Sequence, residues 1–176
     1  EDKFARLVTA IGKYWICKRA PGHAYEAMEC IGGSAVMEDS IMPRLYREAP
    51  VNAIWEGSGN VQCLDMLRAM SRTPGSLEAL FAEIDEARGL NKTFDGFVHA
   101  TKQQFADLTD VEFRARALVE QLALSLQASV LLRADNETVA NGFCETRLQQ
   151  GSHQMYGTIP RGVDCEAIIQ RAKPQV

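Results

Sequence analysis

The residues best suited to chemistry lie in the run Ile54-Trp55-Glu56-Gly57-Ser58-Gly59-Asn60. A carboxylate follows two large apolar side chains and precedes two glycines. Glycine lets a ligand come close to the backbone. The run leads into an apolar-periodic stretch, so it reads as the start of a helix. Unpaired N–H groups there suit an anionic or polar cofactor edge. A carboxylate beside Trp55 is placed for partial desolvation, a setting that fits general-base work. The plainer reading of the same residues is a loop with an exposed Glu and a helix cap.

Two further segments stand out. In Glu29-Cys30-Ile31-Gly32-Gly33-Ser34-Ala35 the paired glycines permit close approach, or simply end a helix. In Arg44-Leu45-Tyr46-Arg47-Glu48 two arginines three residues apart share a helix face. They are suited to phosphate or carboxylate, or to a structural salt bridge.

These segments need helices to hold them. Phe4, Leu7, Val8, Ile11, Trp15 and Ile16 form a helical stripe over residues 3–18. Pro21-Gly22 punctuates, and a second helix is expected from His23 to Ile31, ended by Gly32-Gly33. Ser40 is placed to cap a short helix reaching Tyr46, with Pro43 in its first turn. Residues 49–54 read as a loop and Asn60 to Met70 as a helix. The stretch Ser71–Ser76 is the best domain boundary, dividing the chain into 1–72 and 73–176. Beyond it, helices are expected from Ser76 to about Arg88, from Lys92 to Leu108, from Asp110 to Arg133, from Asn136 to Gln149 and from Asp164 to Lys173. A loop over 151–162 completes the pattern. The 110–133 helix is rich in Ala and Leu all round, which places it centrally. No strand pattern competes. The expected class is all-α, a helical bundle followed by a second helical cluster.

Composition sets bounds. The 176 residues are 46% hydrophobic and 24% charged, enough to bury a core. Net charge is −4 and falls entirely on residues 73–176, which opposes generic nucleic-acid binding. Five widely spaced cysteines, with no Cys-x-x-Cys pair, read as reduced thiols of a cytoplasmic protein and not as a metal site. No run of about 18 apolar residues suggests a membrane span. The chain lacks an initiator Met and opens in a running helix, so a fragment or a trimmed chain is expected.

Order and spacing of the three segments resemble the acyl-CoA dehydrogenase family, in its C-terminal helical portion. The family pattern runs Gln-x-x-Gly-Gly-x-Gly, then Arg-Asp, then an aromatic-Glu-Gly-Thr segment. Here Glu29-x-x-Gly32-Gly33-x-Ala35 is followed by Arg47-Glu48 and by Trp55-Glu56-Gly57-Ser58, with the family's nine-residue step from Arg47 to Glu56. The wording Pro43-Arg44-Leu45-Tyr46-Arg47-Glu48, Pro50-Val51-Asn52 and Ile54 to Asn60 is closer still to the AidB-like branch, linked to the DNA alkylation response.

The resemblance implies specific roles. Glu56 would remove the α-proton of an acyl-CoA thioester while the β-hydrogen leaves as hydride to flavin adenine dinucleotide (FAD). Trp55 would flank the flavin ring and acyl chain. Ser58 and Asn60 would touch the cofactor, and Glu29 and Gly33 would approach its adenosine end, in the family often from a neighbouring subunit. No metal is implied. Glu29 stands where the family has Gln, Ala35 where it has a third Gly, and Ser58 where it has Thr. The family's N-terminal helical and middle β domains are missing from this chain, so the piece alone should be inactive and FAD is expected only in the full-length protein. Residues 73–176 would be the extra helical domain of the AidB-like branch, associated there with double-stranded DNA. Arg114, Arg116, Arg133, Arg147 and Arg161 are candidate DNA contacts, the first three foremost, with surface or interface arginines as the plainer reading. The resemblance also implies a homotetramer. Three functions follow: an acyl-CoA dehydrogenase of short or branched chains, a DNA-protecting flavoprotein with vestigial activity, or a non-enzymatic helical oligomerisation module.

Overall fold

The computed structural model describes residues 2–149 and 155–174. It contains α1 (Asp2–Ile31), a 3-10 turn (Gly33–Val36), α2 (Met42–Glu48), a 3-10 segment (Ala49–Ala53) and α3 (Gly59–Arg72). After these come α4 (Ser76–Asp85), α5 (Lys92–Gln104), α6 (Val111–Arg133), α7 (Glu137–Arg147) and α8 (Cys165–Ala172). Every regular element among the described residues is helical, so the all-α class is borne out. Of the expected 151–162 loop, residues 151–154 lie outside the described residues.

The helix starts follow their capping residues. Asn91, Asn136 and Asp164 each accept a backbone N–H three residues on, from Phe94, Val139 and Ala167. Ser40 Oγ accepts the Met42 N–H at 3.2 Å, just ahead of α2. The three caps on α5, α7 and α8 are each worth about 1 kcal/mol, whereas the N-cap of α2 is Ile41, which has no side-chain cap bond.

Two expectations need correction. Pro21-Gly22 does not divide α1, which runs unbroken through Pro21. Proline forfeits one backbone hydrogen bond, but α1 packs on α2, α3 and both 3-10 segments, and that packing holds the chain helical across the break. Residues 49–53 form a 3-10 segment instead of an open loop, with the Ile54 and Trp55 amides both donating to the Val51 carbonyl, at 2.9 and 3.1 Å.

The chain forms two compact units. The first holds residues 1–80 and 110–123, the second 81–109 and 124–176. These spatial units differ from a division at residue 73, because the first half of α6 groups with α1–α3. In the first unit Leu7, Ile11, Met66, Leu80, Leu118 and Leu122 are almost fully buried. Arg6 of α1 meets Asp65 of α3 in a two-pronged ion pair, at 2.8 and 3.0 Å. In the second unit Ile84, Phe94, Ala128 and Cys144 are buried, and α5 packs on α7 and α7 on α8. A side chain at Gly142 would press on Val163 and Ile168, at 3.1 and 3.4 Å, so the glycine sets how closely α8 approaches. α6 is long and apolar enough to cross a membrane, but 50% of that stretch is buried inside the protein, as befits a core helix.

Candidate active site

The candidate site lies in the first unit, where the 3-10 segment Ala49–Ala53 runs into α3. Glu56 is exposed and has φ 51°, a left-handed conformation unusual for a residue with a side chain. Such a conformation costs on the order of 1–3 kcal/mol and persists only where neighbours enforce it. Gly57 follows at φ 109°.

Two side chains enforce it. Lys13, on α1, donates its ammonium to the Trp55 carbonyl and, at 2.7 Å, to the Gly57 carbonyl. Gln62, on α3, donates to the Glu56 carbonyl at 2.9 Å and the Gly57 carbonyl at 3.4 Å. Sequence reasoning singled out neither residue. Lys13 lies 42 positions before its nearest partner, so no local spacing could reveal it.

Next come the residues expected at a cofactor. Ser58 is the N-cap of α3, is exposed, and makes no capping bond with its side chain. The first-turn amides of Gly59 to Val61 are thereby left for an outside acceptor. Trp55 is 57% exposed, a large apolar ring lying open. Asn60 Oδ1 accepts from Arg116 Nε at 2.7 Å, so its carbonyl end is spoken for from α6. Beside this pair a cavity of about 390 Å³ is lined by Asn60, Cys63, Leu64, Phe113 and Arg116. At its base, burial pushes the Cys63 thiol up to about 11.

Glu29 and Gly33 lie at the far end of α1 and the turn after it. Gly32 has φ 85°, and a side chain at Gly32 or Gly33 would meet nothing within 4 Å. The space over this glycine pair is open. Glu29 hydrogen-bonds Tyr25, and this bond raises the phenol above its ordinary range. Open glycines, an uncapped helix start and an exposed Trp fit a flat, polar-edged cofactor. Arg44 and Arg47 are engaged with acids: Arg44 with Glu48 at 3.1 Å, Arg47 with Glu38 at 2.7 Å.

The candidate DNA-contacting arginines are distributed differently. Arg116 serves Asn60, and Arg133 pairs with Glu83 in the second unit. Arg114 is half-buried on α6.

Comparison with known proteins gives a family match for the first 71 residues. Residues 1–71 match the acyl-CoA dehydrogenase C-terminal domain. The chain is 38% identical over 148 residues to the Escherichia coli (strain K12) protein named "Putative acyl-CoA dehydrogenase AidB", covering 84% of this chain and 27% of that protein. It is 31% identical over 172 residues to acyl-CoA dehydrogenase family member 11 of Caenorhabditis elegans, covering 98% of this chain and 25% of that one. The crystal structure of Caenorhabditis elegans ACDH-11 in complex with C11-CoA matches with a TM-score of 0.74 at 24% identity, over 90% of this chain and 31% of that one. At that identity the likeness shows the fold. The chain spans about a quarter of the length of these curated relatives. The family resemblance read from the motifs is borne out over residues 1–71.

Proposed function

We propose that this chain, whose residues 1–71 belong to the acyl-CoA dehydrogenase C-terminal domain family, is the C-terminal part of an FAD-dependent enzyme that oxidises an acyl-CoA thioester at its α,β-bond. The observation that carries the reading is Glu56, an exposed carboxylate in a left-handed backbone, directly before the uncapped start of α3. Family membership and the acyl-CoA ligand named for the ACDH-11 structure support it.

In this reading Glu56 takes the α-proton of the thioester onto its carboxylate. Bound flavin would supply the acceptor for the hydride that leaves the β-carbon. Proton and hydride depart from opposite faces of one C–C bond, so the base must be fixed in space and not merely nearby. Trp55 walls the reacting carbons, and Ser58 with the first-turn amides of α3 meets the cofactor's polar edge. Glu29 and Gly33 receive its adenosine end. The exposed apolar side chains of the first unit, among them Val36, Met37, Ile41, Ile54 and Trp55, are covered by other domains or by further copies of the protein. This chain alone is then inactive. The DNA-protecting reading finds less support, since Arg116 and Arg133 already serve Asn60 and Glu83.

The test is an anaerobic addition of isovaleryl-CoA to the purified full-length protein, followed in the visible flavin band, with Glu56→Gln as control. Bleaching that the variant abolishes supports the reading. Bound flavin that no acyl-CoA of any chain length bleaches overturns the dehydrogenase activity. A protein without flavin overturns the cofactor too.

A further inference from the structure

We propose that Lys13 is the positioning residue of this site, fixing the direction of the Glu56 carboxylate through the backbone. The inference rests on the reading of Glu56 as the base. The carbonyls of Trp55, Glu56 and Gly57 are consecutive, and all three accept hydrogen bonds from just two side chains. Lys13 holds the first and third, Gln62 the second and third. The peptide before the Glu56 Cα is therefore held from α1, and the peptide after it from α3. With both planes held, the φ of 51° is determined, and with it the direction in which the side chain leaves the backbone.

The residue type fits the task. An ammonium has three donors and no acceptor, so it can serve two carbonyls at once, and its charge makes both bonds stronger than a neutral donor could. Lys13 donates to two backbone carbonyls and, among the described residues, to no acid. A lysine that merely solvated a helix face would have no reason to turn toward a strained loop. Gln62 alone leaves the Trp55 carbonyl unheld, and a residue with a side chain then returns to negative φ. That change would swing the carboxylate away from where α3 and Trp55 place a substrate, while leaving both of those in position.

The prediction therefore separates the chemical step from binding. In the full-length flavoprotein, Lys13→Met keeps the aliphatic stem and removes the donors. The rate of flavin reduction by isovaleryl-CoA should fall on the order of 10²-fold, the effect expected of a misplaced reacting group. Flavin content and the half-saturating isovaleryl-CoA concentration should stay at the wild-type level. Lys13→Arg, which restores charged donors, should recover most of the rate. A wild-type rate in Lys13→Met overturns the proposal. So does a loss of rate matched by an equal loss of flavin or of acyl-CoA binding, which would mark a purely structural residue. If Lys13→Met does not fold, Gln62→Met is read by the same split, since it frees the Glu56 carbonyl. A Glu56→Gln protein that still reduces its flavin overturns the base reading itself. An inactive Glu56→Gln beside an unimpaired Lys13→Met overturns the role of Lys13 alone.

Discussion

The side-chain amide of Gln62 occupies the space into which a Cβ on Gly57 would project. The Val61 side chain closes the same space from 3.3 Å, and Gly57 sits at φ 109°. Gly57→Ala must therefore displace Gln62 from the Glu56 and Gly57 carbonyls and strain the backbone as well. Substituting alanine at such a φ costs more than about 1 kcal/mol. A lower Tm is expected, together with a slower flavin reduction than the stability loss alone explains. Thermal melts alongside stopped-flow reduction would check both, and an unchanged Tm would refute the account.

The pair Arg6–Asp65 ties α1 to α3 and makes part of the first unit's stability depend on pH. The hydrogen bond from Arg6 holds the Asp65 carboxyl below its ordinary range. The folded state thus holds this proton less tightly than the unfolded chain. Its stabilisation is complete above the ordinary value of about 3.9 and disappears as pH falls through the lowered one. Both groups are partly exposed, so the contribution is about 1 kcal/mol or less. Asp65→Asn should lower Tm at pH 7, and the gap from wild type should narrow as pH falls below about 4. A gap that stays constant with pH would show that the carboxylate's charge plays no part.

Much of this arrangement could be read in the residues alone. Asn136 and Asp164 announce their helices because a short polar side chain reaches its own backbone, a purely local event. Glu56 stood out because a carboxylate before two glycines at a helix start is locally odd. What stayed hidden depends on distance. Pro21 looked like a break, since the packing that overrides it comes from α2, α3 and the 3-10 segments. Lys13 carries no local signal, since its partners lie 42 and 44 positions away. The pairing of Arg116 with Asn60 carries no local signal either, since the two lie 56 positions apart.

Thiol chemistry should divide the cysteines by depth. Cys30 and Cys165 are exposed, whereas Cys63 and Cys144 are buried and burial pushes both up to about 11. At pH 8 only about one buried thiol in a thousand would be ionised. A disulfide reagent should label Cys30 and Cys165 promptly and reach Cys63 and Cys144 at the rate of unfolding. Mass spectrometry of partially labelled protein would show the order. Early labelling of Cys63 would mean that solvent reaches past the cavity beside Asn60 to the buried thiol in the folded state.

Arg133 is expected to matter for stability and not for DNA. It pairs with Glu83 and donates to the Ser129 carbonyl at 3.4 Å. Arg133→Ala should lower Tm while leaving the salt dependence of binding to a short duplex unchanged in fluorescence anisotropy. Loss of a phosphate contact would instead reduce the slope of log affinity against log salt by about 1. That result would return weight to the DNA-protecting reading.

All the buried side chains of α1 lie at or before Trp15, yet Tyr25 and Glu29 sit well beyond it. That end of α1 packs only through half-buried side chains such as Ala24, Ala27 and Met28, so it is the more weakly held part of the helix. In the proposed holoenzyme, a cofactor or neighbouring subunit covering that end would add to what holds it helical. Binding there and completing the fold become one linked equilibrium, in which occupancy is itself a stabilising force.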